Sequence, residues 1–126
     1  MEQADAVIHL GAIKYATDPP DYAERARERG RIPLPFDETM RVNTMGTWYL
    51  LEAARRANVR TVVMASTNMV MGFKFLAENH SYIEYLPIDE EHPLYPDYSY
   101  GLSKLFDEQM MAAFTQTYGL RTYALR

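Results

Sequence analysis

The chain of 126 residues has no cysteine, a single tryptophan and six scattered glycines. Without a thiol there is no disulfide framework, zinc–thiolate centre or cysteine nucleophile. The glycines form no G-x-G-x-x-G cluster. No apolar run approaches the roughly 18–20 residues that span a bilayer. The start, Met1 to Asp5, lacks the basic flank and apolar stretch of a signal peptide. Basic excess is missing too: the net charge is −4, whereas neutralising phosphates needs a basic face. No metal site, nucleic-acid partner or membrane contact is therefore expected. What remains is ordinary for a globular chain, with 48% hydrophobic and 24% charged residues. A soluble, cytoplasmic domain is the expectation.

Along the chain, two periods alternate. Ala6 to Ala12 is a short apolar run that suits a strand buried on both faces. Tyr22 to Gly30 alternates acid and arginine and predicts a short exposed helix. Its arginines (Arg25, Arg27, Arg29, with Arg31 beyond) sit beside Asp21, Glu24 and Glu28, which reads as a solvated face rather than an anion site. From Asp37 to Ala57 the period is helical. Val42, Met45, Tyr49, Leu50, Ala53 and Ala57 share one stripe, and Asn58 is the expected stop. Gly46 on this helix reads as a site of close helix–sheet packing. Thr61 to Ser66 predicts a second buried strand. Residues 73–97 form a long aromatic loop, expected to pack on the substrate side. Tyr98 to Tyr118 predicts a second long helix with Leu102, Phe106, Met110, Ala113 and Phe114 on one stripe. Gly119 caps it, and Leu120 to Arg126 is a third strand. Strand-helix-strand-helix-strand means parallel strands in an α/β fold, part of a Rossmann-like sheet. If both helices lie on one face, the other face needs a different cover.

Ligands of open α/β sheets bind outside the carboxyl ends of the strands. Those ends are Gly11-Ala12-Ile13-Lys14 and Ser66-Thr67-Asn68. Tyr100 and Lys104 stand four apart and share a helix face. An ammonium beside a phenol favours the phenolate. With a hydroxyl such as Thr67 opposite, the three make a proton-transfer device for alcohol and carbonyl chemistry. His9, within an apolar strand, reads as structural. Met64, Met69, Met71, Met110 and Met111 read as core filling.

The blocks occur in a definite order. They are His9-Leu10-Gly11-Ala12, Asn43-Thr44-Met45-Gly46-Thr47, Val62 to Asn68 with Gly72, Asp89 to Pro93, and Tyr100-Gly101-Leu102-Ser103-Lys104. Together they resemble the extended short-chain dehydrogenase/reductase family of NAD-dependent epimerases and dehydratases. The resemblance covers nearly the whole chain; residues 15–36 and about 73–86 depart from the pattern. It implies an NAD or NADP enzyme acting at a hydroxyl of a sugar or sugar acid, or else a nucleotide-sugar epimerase or dehydratase. It casts Tyr100 as catalytic base or acid, Lys104 as its partner, Thr67 as the catalytic hydroxyl and Asn43 as organiser of the proton relay. Cofactor contacts are implied for Leu10, Gly11, Ala12, Lys14, Asn43, Ala65, Ser66, Tyr100 and Lys104. Substrate contacts are implied for Ser66, Thr67, Asn68 and Tyr100. The run Ala65 to Phe73 resembles the uronate-dehydrogenase-like branch, although Met69 and Ala12 depart from it.

The same resemblance implies missing parts. Residues 1–126 correspond to a partial NAD(P)-binding Rossmann-like domain. The Gly-rich N-terminal half and the C-terminal substrate-binding part are not in it. In the complete enzyme a homodimer through the two long helices is expected; Trp48, Tyr49, Met110 and Met111 are candidates for its surface, which periodicity does not separate from core. A non-catalytic fragment or interaction module is the other reading.

Overall fold

A computed structural model describes residues 4–72 and 83–126. Its elements are β1 (Ala6–His9), α1 (Tyr22–Glu28), α2 (Glu38–Arg56), β2 (Thr61–Ala65), α3 (Tyr98–Tyr118) and β3 (Arg121–Leu125). A single 3-10 turn, Asn68–Met71, follows β2. The strands pair in the order β1-β2-β3, all parallel, with Ile8 beside Val63 and Val63 beside Tyr123. Among the described residues no helix is long and apolar enough to cross a membrane.

The core lies on one face only. Leu51 and Ala54 of α2, Val62 and Met64 of β2, and Met111 and Phe114 of α3 pack there. Each large side chain buried in this way contributes roughly 1.5–3 kcal/mol. The opposite face is bare: Ile8 is 71% and Leu125 62% exposed. The first strand is therefore not buried on both sides, and it ends at His9, leaving Leu10 to Ala12 beyond it. Both long helices cover the same face, so the second lining of the sheet is open in these residues.

Most of each predicted apolar stripe lies away from the core, although Leu50 and Met110 pack against it and Phe114 lies within it. On α2 the buried positions are Thr39, Asn43, Thr47, Leu51 and Ala54, while Met45 is 42% and Tyr49 64% exposed. On α3 the buried positions are Ser99, Gly101, Ser103, Lys104, Asp107, Met111 and Phe114; of the predicted stripe only Phe114 is buried. Periodicity finds a shared face but does not say which face meets the sheet. Here the buried faces carry polar groups because those groups bond across the interior. Thr39 Oγ1 donates to the carbonyl of Tyr15 at 2.8 Å, and Thr17 Oγ1 donates to Thr39 Oγ1 at 3.1 Å.

The helix ends follow their sequence signals. Asn58 takes a left-handed conformation (φ 60°), the Asn58 N–H bonds the Arg55 carbonyl, and the Val59 N–H bonds the Ala54 carbonyl. That pair of bonds closes the helix with orphan carbonyls satisfied. Gly119 ends α3 in the same left-handed conformation, φ 72°, with its N–H bonded to the Thr115 carbonyl. Gly46 behaves otherwise than expected: a Cβ there would meet nothing within 4 Å, so it serves no close packing. Gly46→Ala is therefore expected to stabilise the fold by about 0.5–1 kcal/mol, through reduced backbone entropy of the unfolded chain. Urea unfolding of the two proteins checks it; a loss of stability would show that the position makes a contact absent from this arrangement.

Candidate active site

The carboxyl ends of β1 and β2 open toward the start of α3. Asn43 ties these parts together. Its Oδ1 accepts the Ile13 N–H at 2.8 Å, and its Nδ2 donates to the Ile13 carbonyl at 3.1 Å and to Ser103 Oγ at 2.9 Å. Ser103 Oγ in turn donates to the Tyr100 carbonyl at 2.9 Å. One buried amide thus fixes the loop bearing Lys14 against the turn bearing Tyr100. The seating is close because residue 101 is glycine: a Cβ there would stand 2.7 Å from the Met69 carbonyl oxygen. Gly72 is equally constrained, with φ 81° and the Tyr95 carbonyl oxygen 2.5 Å from where a Cβ would be.

Lys104 is buried inside this junction, with its Nζ 3.8 Å from Asp107 Oδ2. Asp107 is fully buried, and neither carboxyl oxygen makes a hydrogen bond. The Thr47 hydroxyl, 3.1 Å from His9 Nε2, also faces the Asp107 carboxyl and favours its charged form. Burial pushes the Asp107 carboxyl up to about 7, against the opposing pull of Lys104. Burial likewise lowers Lys104, opposed by Asp107, and lowers His9, helped by the Lys104 charge.

The remaining predicted positions sit as follows. Thr67 caps the 3-10 turn, its Oγ1 accepting the Met69 N–H at 3.2 Å. Asn68 opens that turn and is exposed. Ala65 is the last residue of β2, paired with Leu125. Ser66 donates its hydroxyl to Glu108, and Glu108 pairs with Arg126 at 2.7 Å. Leu10, Gly11 and Ala12 lie exposed beyond β1. Lys14 and Tyr100 border a common cleft of about 390 Å³, closed on its far side by α1. Thr67, Asn68 and Lys104 are not on its wall. Phe73, and the loop as far as residue 82, lie outside the described residues. The later part of that loop is self-packed: buried His92 accepts the Glu84 N–H at Nε2, and Tyr85 Oη donates to Asp89 at 2.6 Å.

Sequence reading passed over Ser103, Asp107, Thr47 and the cleft face of α1. Spacing held the clue in two cases. Asp107 is three residues from Lys104, and Thr47 is four from Asn43, so each pair shares a helix face.

A parallel sheet in the order β1-β2-β3, joined through the two long helices, is a Rossmann-like layout. The chain belongs to the NAD dependent epimerase/dehydratase family, which it matches over residues 1–126. It is 32% identical over its whole length to a uronate dehydrogenase of Pseudomonas syringae pv. tomato, covering 37% of that protein. Among solved structures it is similar to a short-chain dehydrogenase/reductase superfamily protein of Agrobacterium tumefaciens with bound NAD. That match has 34% identity and a TM-score of 0.70 over 99% of this chain and 31% of the other. A UDP-glucose 4-epimerase of Brucella ovis in complex with NAD gives 30% identity and a TM-score of 0.70 over 97% and 31%. The chain thus spans little more than a third of the curated uronate dehydrogenase it matches.

Proposed function

We infer that these residues form the central part of an NAD(P)-dependent oxidoreductase acting at a hydroxyl of a sugar or sugar acid. The observation that carries the reading is the Asn43 clamp, which holds the loop after β1 against the turn of α3 bearing Tyr100. Tyr100 Oη is the group that moves the proton at the reacting hydroxyl. Thr67 orients that hydroxyl from the 3-10 turn. Lys104 supplies a fixed positive charge one helical turn from Tyr100. Asn43 keeps the two walls in register.

The cofactor end of the site fits a nicotinamide ribose. Gly11 presents bare backbone at the edge of β1, with only the His9 ring, 3.5 Å from a Cβ position, nearby. Leu10 and Ala12 flank Gly11 beyond β1, Lys14 lines the cleft, and Ala65 and Ser66 stand at the end of β2; the cofactor contacts are assigned to them. No glycine-rich turn for a pyrophosphate occurs in the chain. NAD(P), when bound, supplies the hydride acceptor. The bare sheet face supports a place for these residues within a larger domain of the same fold. The exposed Met45, Trp48 and Tyr49 on α2 and Phe106 on α3 support pairing of two copies through these helices, whereas Met111, also a candidate for that surface, is buried in the core.

Dehydrogenation and epimerisation differ in one observable. A dehydrogenase releases reduced cofactor, whereas an epimerase returns the hydride. Net NADH or NADPH formation by the full-length protein, followed at 340 nm with uronic acids and nucleotide sugars in turn, is expected with uronic acids. Turnover of a nucleotide sugar without net reduced cofactor would replace this reading by epimerisation. That second reading rests on the similarity to UDP-glucose 4-epimerases.

A further inference from the structure

The segment that departs from the family pattern builds one wall of the cleft beside Tyr100. Tyr22, Arg25, Ala26 and Arg29 all line it. Their spacing of three, one and three residues places them on a single face of α1 and its cap. Gly30, at φ 66°, then reverses the chain. Its N–H bonds the Arg27 carbonyl at 2.8 Å, and the Arg31 N–H bonds the Ala26 carbonyl at 2.9 Å. This glycine-capped turn returns Arg31 to the same rim. The Tyr22 hydroxyl, accepting the Leu34 N–H at 3.2 Å, holds the returning strand of chain in place.

Charge at this cleft is one-sided. Its lining includes Lys14, Arg25, Arg29 and Arg31 against one carboxylate, Asp97. Arg25 is engaged with Asp21 at 3.0 Å. Among the described residues Arg29 and Arg31 have no ion pair. Exposure of these arginines agrees with a solvated helix face, but their convergence on Tyr100 does not follow from that reading. The rest of the wall is aromatic. Tyr15 and Tyr22 stack with ring centroids 6.1 Å apart, and Tyr98 and Tyr100 stand on the α3 side. Aromatic faces suit the apolar faces of a sugar ring, and guanidinium forks suit a carboxylate.

We propose that this cleft is the acid-binding subsite of the enzyme: Arg29 and Arg31 hold the carboxylate of a monosaccharide acid whose reacting hydroxyl lies at Tyr100. The inference rests on the proton-transfer role given to Tyr100 above and adds the substrate's charge and the residues that read it. A carboxylate is favoured over a phosphate because the basic rim and Tyr100 border one cleft of about 390 Å³. The anion must then belong to the same small sugar that carries the hydroxyl. The same chemistry recognises phosphate, so the test carries both.

The experiment measures binding of D-glucuronate, D-glucose, inorganic phosphate and UDP-glucose to the full-length protein by calorimetry, alongside cofactor reduction. The wild type is compared with the Arg29→Ser/Arg31→Ser and Arg29→Lys/Arg31→Lys pairs. Glucuronate is expected to bind more tightly than glucose. The serine pair is expected to weaken it roughly tenfold or more, with the lysine pair between, since charge survives but the fork is lost. Equal affinity in wild type and serine pair, or preference for phosphate or UDP-glucose over glucuronate, overturns the subsite. Arginine-dependent glucuronate binding without cofactor reduction from any sugar would refute the reaction and leave the subsite standing. Reduction with glucuronate that the serine pair does not impair would do the reverse.

Discussion

Replacing Tyr100 by phenylalanine in the full-length enzyme is expected to lower turnover about 100- to 10,000-fold, the usual range for loss of a positioned proton-transfer group. The ring remains, so the packing of α3 on the 3-10 turn is kept. That packing depends on Gly101 and the Ser103–Asn43 bond rather than on the phenol. Cofactor affinity should change little, because the variant removes one oxygen and no charge. Steady-state kinetics with a parallel circular-dichroism spectrum separates the two effects. Turnover within a few-fold of wild type, with the fold intact, would remove Tyr100 from the mechanism.

The second large effect concerns stability and pH. The folded Asp107 carboxyl titrates at about 7 instead of 3.8, because burial disfavours its charged form. The folded state therefore holds that proton more tightly than the unfolded chain does. Between about pH 4 and 7 the native state binds more protons, so stability falls as pH rises through this window. Each pH unit there costs at most about 1.4 kcal/mol. Asp107→Asn removes the titration, and its stability curve is expected to lack this descending limb. Urea unfolding of both proteins at intervals from pH 4 to 8 gives the difference directly. Parallel curves would show that Asp107 is already solvated or paired in solution. The variant also leaves the Lys104 cation without its neighbouring acid, so its effect on catalysis reports how far Lys104 depends on that counter-charge.

Much of the fold could be read along the chain. Short β-branched and apolar runs such as Thr61–Ala65 alternate with long periodic segments, and only a parallel α/β layer joins such elements economically. Asn58 and Gly119 marked helix ends because a left-handed residue is cheap only for glycine and asparagine. The order of blocks pointed to the family through Asn43, Tyr100 and Lys104. The helix faces could not be read in this way. Val42, Met45 and Tyr49 form as good a stripe as any core, yet they face outward, while Thr39, Asn43 and Thr47 turn in. A polar residue becomes a core residue when a partner from another element satisfies it, and that partner is tens of residues away.

The arginines of α1 show the same division. In sequence they are charges among opposite charges, which predicts exposure and no more. Only the turn at Gly30 and the packing of residues 14–16 and 98–101 bring Arg29, Arg31 and Tyr100 around one cleft. Local propensity and spacing act over a few residues, so the sequence by itself determined the elements, their order and the family. Which faces were buried, that Asp107 sits beside Lys104 without a made hydrogen bond, and that a basic wall meets Tyr100 were decided by tertiary structure. Each depends on distance between groups far apart in the chain, and on the water that packing excludes from between them.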